Sequence, residues 1–239
     1  MNKLASWQVA GLTTTSISNL TTTQVSTFGT TQVAALTAAQ IGTLTTTEVQ
    51  AFSTTQANAL TAAQLGGLTT TALSNFSTTQ LDAFSTTQSQ GLTTTQLNAL
   101  STGNLNALDV DEFSTSQVSG LTTTSVTNLT TTQVSTLTGA QVGALTSSQF
   151  AVFTTTELSA LTTTQAGALT ADQVGALTTG KFASLTSTSG IPSLSTASIA
   201  GITTQDIAAL TTTQGNAFTQ TQMAVMSSEQ LSALVDLLT

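Results

Sequence analysis

Large apolar residues recur at every eighth position of this chain. They fall at 4, 12, 20 and onward to 108, then from 113 to 185, then from 194 to 234. Of these 30 sites, 21 are Leu, 7 are Phe and the others are Ile202 and Met226. Only two steps depart from eight: Leu108 to Phe113 is five and Leu185 to Leu194 is nine. With the apolar site as position 1, position 2 is Ser or Thr at 26 of the 30 sites. Position 5 is Gln or Glu at 21 of them, and position 6 is mostly Val, Ile, Leu, Phe or Met.

That order of residue types is a helix start. Ser or Thr followed three residues later by Gln or Glu is the capping box, in which each side chain satisfies a backbone N–H of the other residue. Position 1 lies before the cap and position 6 is the fourth helical residue, so the two form a hydrophobic staple. Thr at the cap and in the first turn sits where its poor propensity for helix interiors matters least. Each octad therefore predicts one short helix, ended by the start of the next.

A continuous helix is excluded by arithmetic. Eight residues at 100° advance 800°, so an apolar stripe would drift by about 80° per repeat. The alternative is a β-solenoid, which Thr and Val favour. Strands need a period of two, however, and positions 1 and 6 are five apart, on opposite faces. A regular Leu/Val pattern with 39% hydrophobic residues is not a disordered composition. Phe28, Phe52 and Phe76 mark a second period of 24, which predicts about three octads per coil. The expectation is an all-α repeat solenoid of one-to-two-turn helices, a single domain over 1–239 with register breaks at 108–113 and 185–194. Leu, Phe and Val would lie inside and Thr, Ser and Gln outside. Helix spacings of 8–10 Å would make ten coils a rod of about 80–100 Å.

Composition narrows the function. Charged residues are 5%, Cys and His are absent, and the only bases are Lys3 and Lys181. Catalysis draws mostly on His, Cys, Lys, Arg and carboxylates, so the expectation is no enzyme and no cofactor. Zinc has no Cys or His to bind. A formal net charge of −8 with no basic patch predicts no nucleic-acid partner. No run approaches 18 apolar residues, which predicts no membrane insertion. The start, "MNKLASWQVAGL", lacks the apolar stretch of a normal signal peptide.

Few positions invite a site. "LDVDEF" gathers Asp109, Asp111 and Glu112, a weak candidate for Ca²⁺. The stronger reading makes Asp109 a cap and Glu112 its box partner. "TSTSGIPSL" carries the extra residue and Pro192, and reads as a corner that absorbs an insertion. Trp7 reads as a cover for the first coil.

The unit "LTTTQVSTL" resembles the octapeptide (LTTxQ-type) repeat arrays of large bacterial secreted or cell-surface, adhesin-like proteins, over nearly the whole chain. The resemblance carries no catalytic residue across. It implies an extracellular or cell-surface structural setting. Solenoid ends expose the apolar face that a next coil would cover unless they are capped. Leu4, Trp7 and Val9 at one end, and Leu234, Val235, Leu237 and Leu238 at the other, are the candidate assembly interface, with self-association into filaments as the expected partnership. A C-terminal segment folded back as an apolar cap is the alternative for that end. The functional expectation is a non-enzymatic filament, stalk or matrix subunit. The alternative is a binding module, either an adhesin with a surface or glycan ligand or an ice-binding Thr surface.

Overall fold

The computed structural model describes residues 3–239. Among them are twenty-six α-helical segments, three 3₁₀ turns and no strand. Every α-helix but the last has four to six residues, so the octad reading holds and the β-solenoid does not.

One helix start shows the local mechanism. Thr93 is the N-cap of Thr94–Ala99, with extended backbone angles of φ −80° and ψ 154°. Its hydroxyl accepts the N–H of Gln96 at 3.2 Å, and Gln96 Oε1 accepts the N–H of Thr93 at 2.7 Å. The helix closes with a tight bond from the N–H of Leu100 to the carbonyl of Leu97. Leu100 then takes extended angles, φ −65° and ψ 146°, which bring the chain to the next cap. Among the described residues no φ is positive. The corner is therefore made by two extended residues in succession, which suits the β-branched Thr at the second of them. No glycine is required to turn it.

The chain divides into two compact units, the first closing at Phe113, inside the shortened repeat, and the second running from Ser114 to Thr239. Within each unit, a helix packs on the helix three octads later. In the first unit Ser6–Ala10 packs on Thr30–Val33, and Thr14–Ser18 on Ala38–Ile41. In the second, Thr115–Ser119 packs on Gly139–Ala144, which packs in turn on Thr163–Gly167. Three octads thus make one coil. Small residues let the backbones meet: a Cβ on Gly91 would lie 2.6 Å from the Cβ of Ala62, one coil earlier.

Positions 1 and 6 fill the interior. Phe28, Leu36, Val33, Phe150 and Ile207 are all buried. The expectation for position 5 needs correction. Gln40, Gln56, Gln96, Gln149 and Gln173 are buried rather than on the surface, because each amide reaches across to a neighbouring coil.

The last helix, Ser228–Leu238, has eleven residues and fuses two octads. It packs on Thr204–Ala208 and lies over Thr212–Gly215. Leu237 and Leu238 close on Gly215, where a Cβ would come within 2.8 Å and 3.2 Å of their methyl groups. The helix thus keeps the three-octad packing of the helices before it.

Far-UV circular dichroism should show helical minima. Leu129, buried at position 1, and its neighbour Thr130, the cap of Thr131–Thr136, separate packing from capping. Leu129→Ala should cost about 2–5 kcal/mol in denaturant unfolding, and Thr130→Ala about 1 kcal/mol. The reverse ranking would place position 1 outside the core.

Candidate functional site

The most regular polar arrangement is built from the position-5 glutamines. Each side-chain oxygen accepts the N–H of its own cap, which fixes the amide plane. The Nε2 group then donates to carbonyls of the preceding coil. Gln40 Nε2 reaches Val9 at 3.1 Å and Leu12 at 2.7 Å. Gln96 reaches Leu65 and Leu68, both at 2.8 Å. In the second unit, Gln173 reaches Val142 at 2.7 Å and Leu145 at 2.8 Å. The partners are 31 and 28 residues earlier. One is a position-6 carbonyl that already closes its helix by accepting a backbone N–H, as Leu65 does from Leu68, and the other is a position-1 carbonyl, such as that of Leu68, to which no backbone N–H donates among the described residues. The amide ladder satisfies these helix ends.

Where Gln is replaced, the substitute shows what the site needs. Lys181 Nζ donates to the carbonyl of Ala151 at 2.5 Å, and Ser189 Oγ to that of Leu161 at 3.2 Å. Glu48 and Glu157 keep the cap half of the arrangement through bonds to Thr45 and Thr154, but a carboxylate has no hydrogen to donate.

The acidic break departs from its expected capping. Asp109 precedes a 3₁₀ turn, Val110–Glu112, and makes no side-chain cap bond. Glu112 is not its box partner. It accepts the hydroxyls of Thr86 at 2.8 Å and Ser89 at 3.0 Å, one coil earlier. Ser89 occupies a position 6 that is otherwise apolar and is buried there. The pair is matched: the shortened repeat brings a carboxylate to a buried hydroxyl. Among the described residues no three carboxylates converge as metal ligands, so Asp109, Asp111 and Glu112 do not form the expected cluster. Partial burial, followed by the charges of Asp111, Glu112 and Asp82, raises the Asp109 carboxyl above its usual 3.8.

At the second break, Thr186 Oγ1 accepts the N–H groups of Ser189 and Gly190, at 3.1 Å and 2.9 Å. The extra residue is taken up in that turn, and Ile191 returns to the core. Its carbonyl accepts Gln222 Nε2 at 2.8 Å.

The expected assembly residues separate into two groups. Val9 and Leu234 are core residues, closed off from any partner. Leu4 and Leu237 are half-buried, while Val235 is 58% and Leu238 38% exposed. Trp7 is 74% exposed and does not cover the first coil. Shallow open grooves line both units. The one against the last helix, about 520 Å³, is bounded by Thr204, Ala208, Asp236 and Leu237. Another, beside Asp172 and Gly201, is of similar volume. Each carries a single carboxylate.

No family model matches the chain, and no curated protein matches it. The ladder was missed in the sequence because the capping box already explains Gln. The available signal was the excess of Gln over Glu at position 5, 18 against 3. Capping tolerates both equally, but only Gln also donates.

Gln96→Glu should therefore destabilise the protein by about 1–3 kcal/mol at neutral pH, since it leaves the buried carbonyl of Leu68 unpaired and sets a carboxylate against that of Leu65. The loss should shrink in acid, where a protonated carboxyl donates again. Gln205→Glu, on an exposed helix start, should stay within about 0.5 kcal/mol. Asp109 gives a second test. Its pKa is raised on folding, so its charge opposes folding at neutral pH, and that penalty is relieved as pH falls through the folded value. Asp109→Asn should raise Tm slightly at pH 7, with no gain below the usual aspartate value of 3.8.

Proposed function

We propose that this protein is a non-enzymatic structural subunit that self-associates into an extracellular or cell-surface filament, stalk or matrix. The observation that carries this reading is the amide ladder. Its polar side chains are spent on backbone: glutamine on a cap and a preceding coil, Ser and Thr on helix starts. Each coil offers carbonyls that another coil's amides fit, so the rule that adds a coil within the chain also suits addition of a second chain. The resemblance to octapeptide arrays of adhesin-like bacterial surface proteins agrees with this setting. A sparsely charged surface offers little repulsion between copies.

A second reading is a binding surface for a repetitive ligand such as ice. Thr23, Thr47, Thr71 and Thr95 are exposed on successive coils of one face. Among the described residues their hydroxyls make no hydrogen bond. Inhibition of ice recrystallisation, lost when these four are changed to Gln, would favour this reading.

The structural reading is tested by light scattering and negative-stain microscopy over a rising concentration series. Elongated, unbranched assemblies that persist in moderate salt are expected. A protein that remains monomeric throughout would overturn it.

A further inference from the structure

We infer that Glu48 and Glu157 are each the anionic ligand of a calcium site, in which a carboxylate oxygen and the carbonyls at the end of a short helix hold the cation between two coils.

Both residues occupy position 5, and the glutamines on either side fix what they face. Gln40 Nε2 lies 3.1, 3.2 and 2.7 Å from the carbonyls of Val9, Ala10 and Leu12. Gln56 Nε2 lies 3.4, 3.3 and 2.8 Å from those of Val25, Ser26 and Phe28. In each case the partners are 31, 30 and 28 residues earlier. Glu48 stands midway between these two glutamines. The same register sets it against the carbonyls of Ile17, Ser18 and Leu20. In the second unit Gln149 and Gln165 flank Glu157 and follow the same register. It sets Glu157 against the carbonyls of Val126, Thr127 and Leu129.

One oxygen of each carboxylate serves the cap. Glu48 Oε2 accepts the N–H of Thr45 at 2.8 Å and its hydroxyl at 2.9 Å. Glu157 Oε2 accepts those of Thr154 at 2.7 Å and 2.8 Å. The other oxygen, Oε1, stands in for the amide nitrogen of glutamine. It makes no hydrogen bond or ion pair among the described residues. The carbonyls of Leu20 and Leu129 likewise accept no bond there. Glu48 is only 8% exposed, and Glu157 is half-buried.

A buried carboxylate turned toward carbonyl oxygens is costly unless it is paired or coordinates a cation. The ligand set is all oxygen, one charged and three neutral. Such a set suits Ca²⁺, which takes carboxylate and backbone oxygens at about 2.3–2.6 Å in flexible geometry and completes its shell with water. Mg²⁺ demands a near-ideal octahedron at about 2.0–2.1 Å, which carbonyls held by a helix end do not rearrange to supply. With one carboxylate per site, the affinity belongs to the weak range of about 10⁻⁴–10⁻³ M.

The test is thermal unfolding of the full-length protein, freed of divalent ions by chelation and then titrated with calcium or magnesium chloride. Titration calorimetry supplies the stoichiometry. Calcium at about ten times Kd should raise the native Tm by about 3 °C, and magnesium should do much less. Calorimetry should count two sites per chain. Glu48→Gln with Glu157→Gln installs the commonest residue of position 5. Without calcium this pair should melt above the native protein, because each new amide supplies the missing donor. Its Tm should not respond to calcium, and its binding heat should vanish. A control pair, Asp109→Asn with Asp111→Asn, removes two carboxylates from the acidic break and should keep the native response. The inference is wrong if the native protein does not respond to calcium, or if the glutamine pair responds as the native protein does. An equal response to magnesium would mean screening of the net charge of −8 and would overturn it too. So would loss of the response in the asparagine pair but not in the glutamine pair, which would place the cation at the acidic break.

Discussion

The structure depends on one side chain answering two backbone demands at once. A helix of five residues leaves most of its N–H and C=O groups without partners inside itself. Such helices are marginal alone, since nucleation is costly and there is little propagation to offset it. The position-5 glutamine supplies a partner at both ends. Its oxygen completes the start of its own helix, and its nitrogen completes the end of a helix in the coil before. The oxygen contact makes the nitrogen contact accurate, because an amide held at one end has little freedom at the other.

The exceptions follow the same constraint. Lys181 and Ser189 keep the donor and give up the cap oxygen. Glu48 and Glu157 keep the cap and give up the donor. The shortened repeat places Glu112 where its carboxylate finds hydroxyls instead of carbonyls, and a buried serine stands where an apolar residue would otherwise be. The lengthened repeat takes up its extra residue in a turn around Thr186, so that Ile191 still presents its carbonyl to Gln222. Within the second unit, register slips by one residue without loss of the stack, because the backbone groups at the slip are satisfied.

This economy bears on function. Side chains that would be chemistry in another protein are occupied here in holding short helices together. What repeats is a surface of threonine and an interior of leucine, with a bonding pattern that is the same from coil to coil. Such an object is suited to extension and display, which is why a structural role is proposed.

The octad pattern by itself determined the helix starts and the short helices, because capping and staple contacts lie within a few residues of each other in sequence, and the 24-residue spacing of Phe28, Phe52 and Phe76 marked the three-octad coil. Thr93 with Gln96, for example, is legible from spacing alone. The fate of the glutamine nitrogen was not. Its acceptors lie 28 and 31 residues away, and only the stacking of one coil on another brings them within reach. Tertiary structure likewise decided that Val9 and Leu234 belong to the core and that Trp7 does not. The last octads fuse into one helix over Gly215 for a related reason: hydrophobicity states that a side chain seeks cover, but the neighbours in space decide whether cover is available.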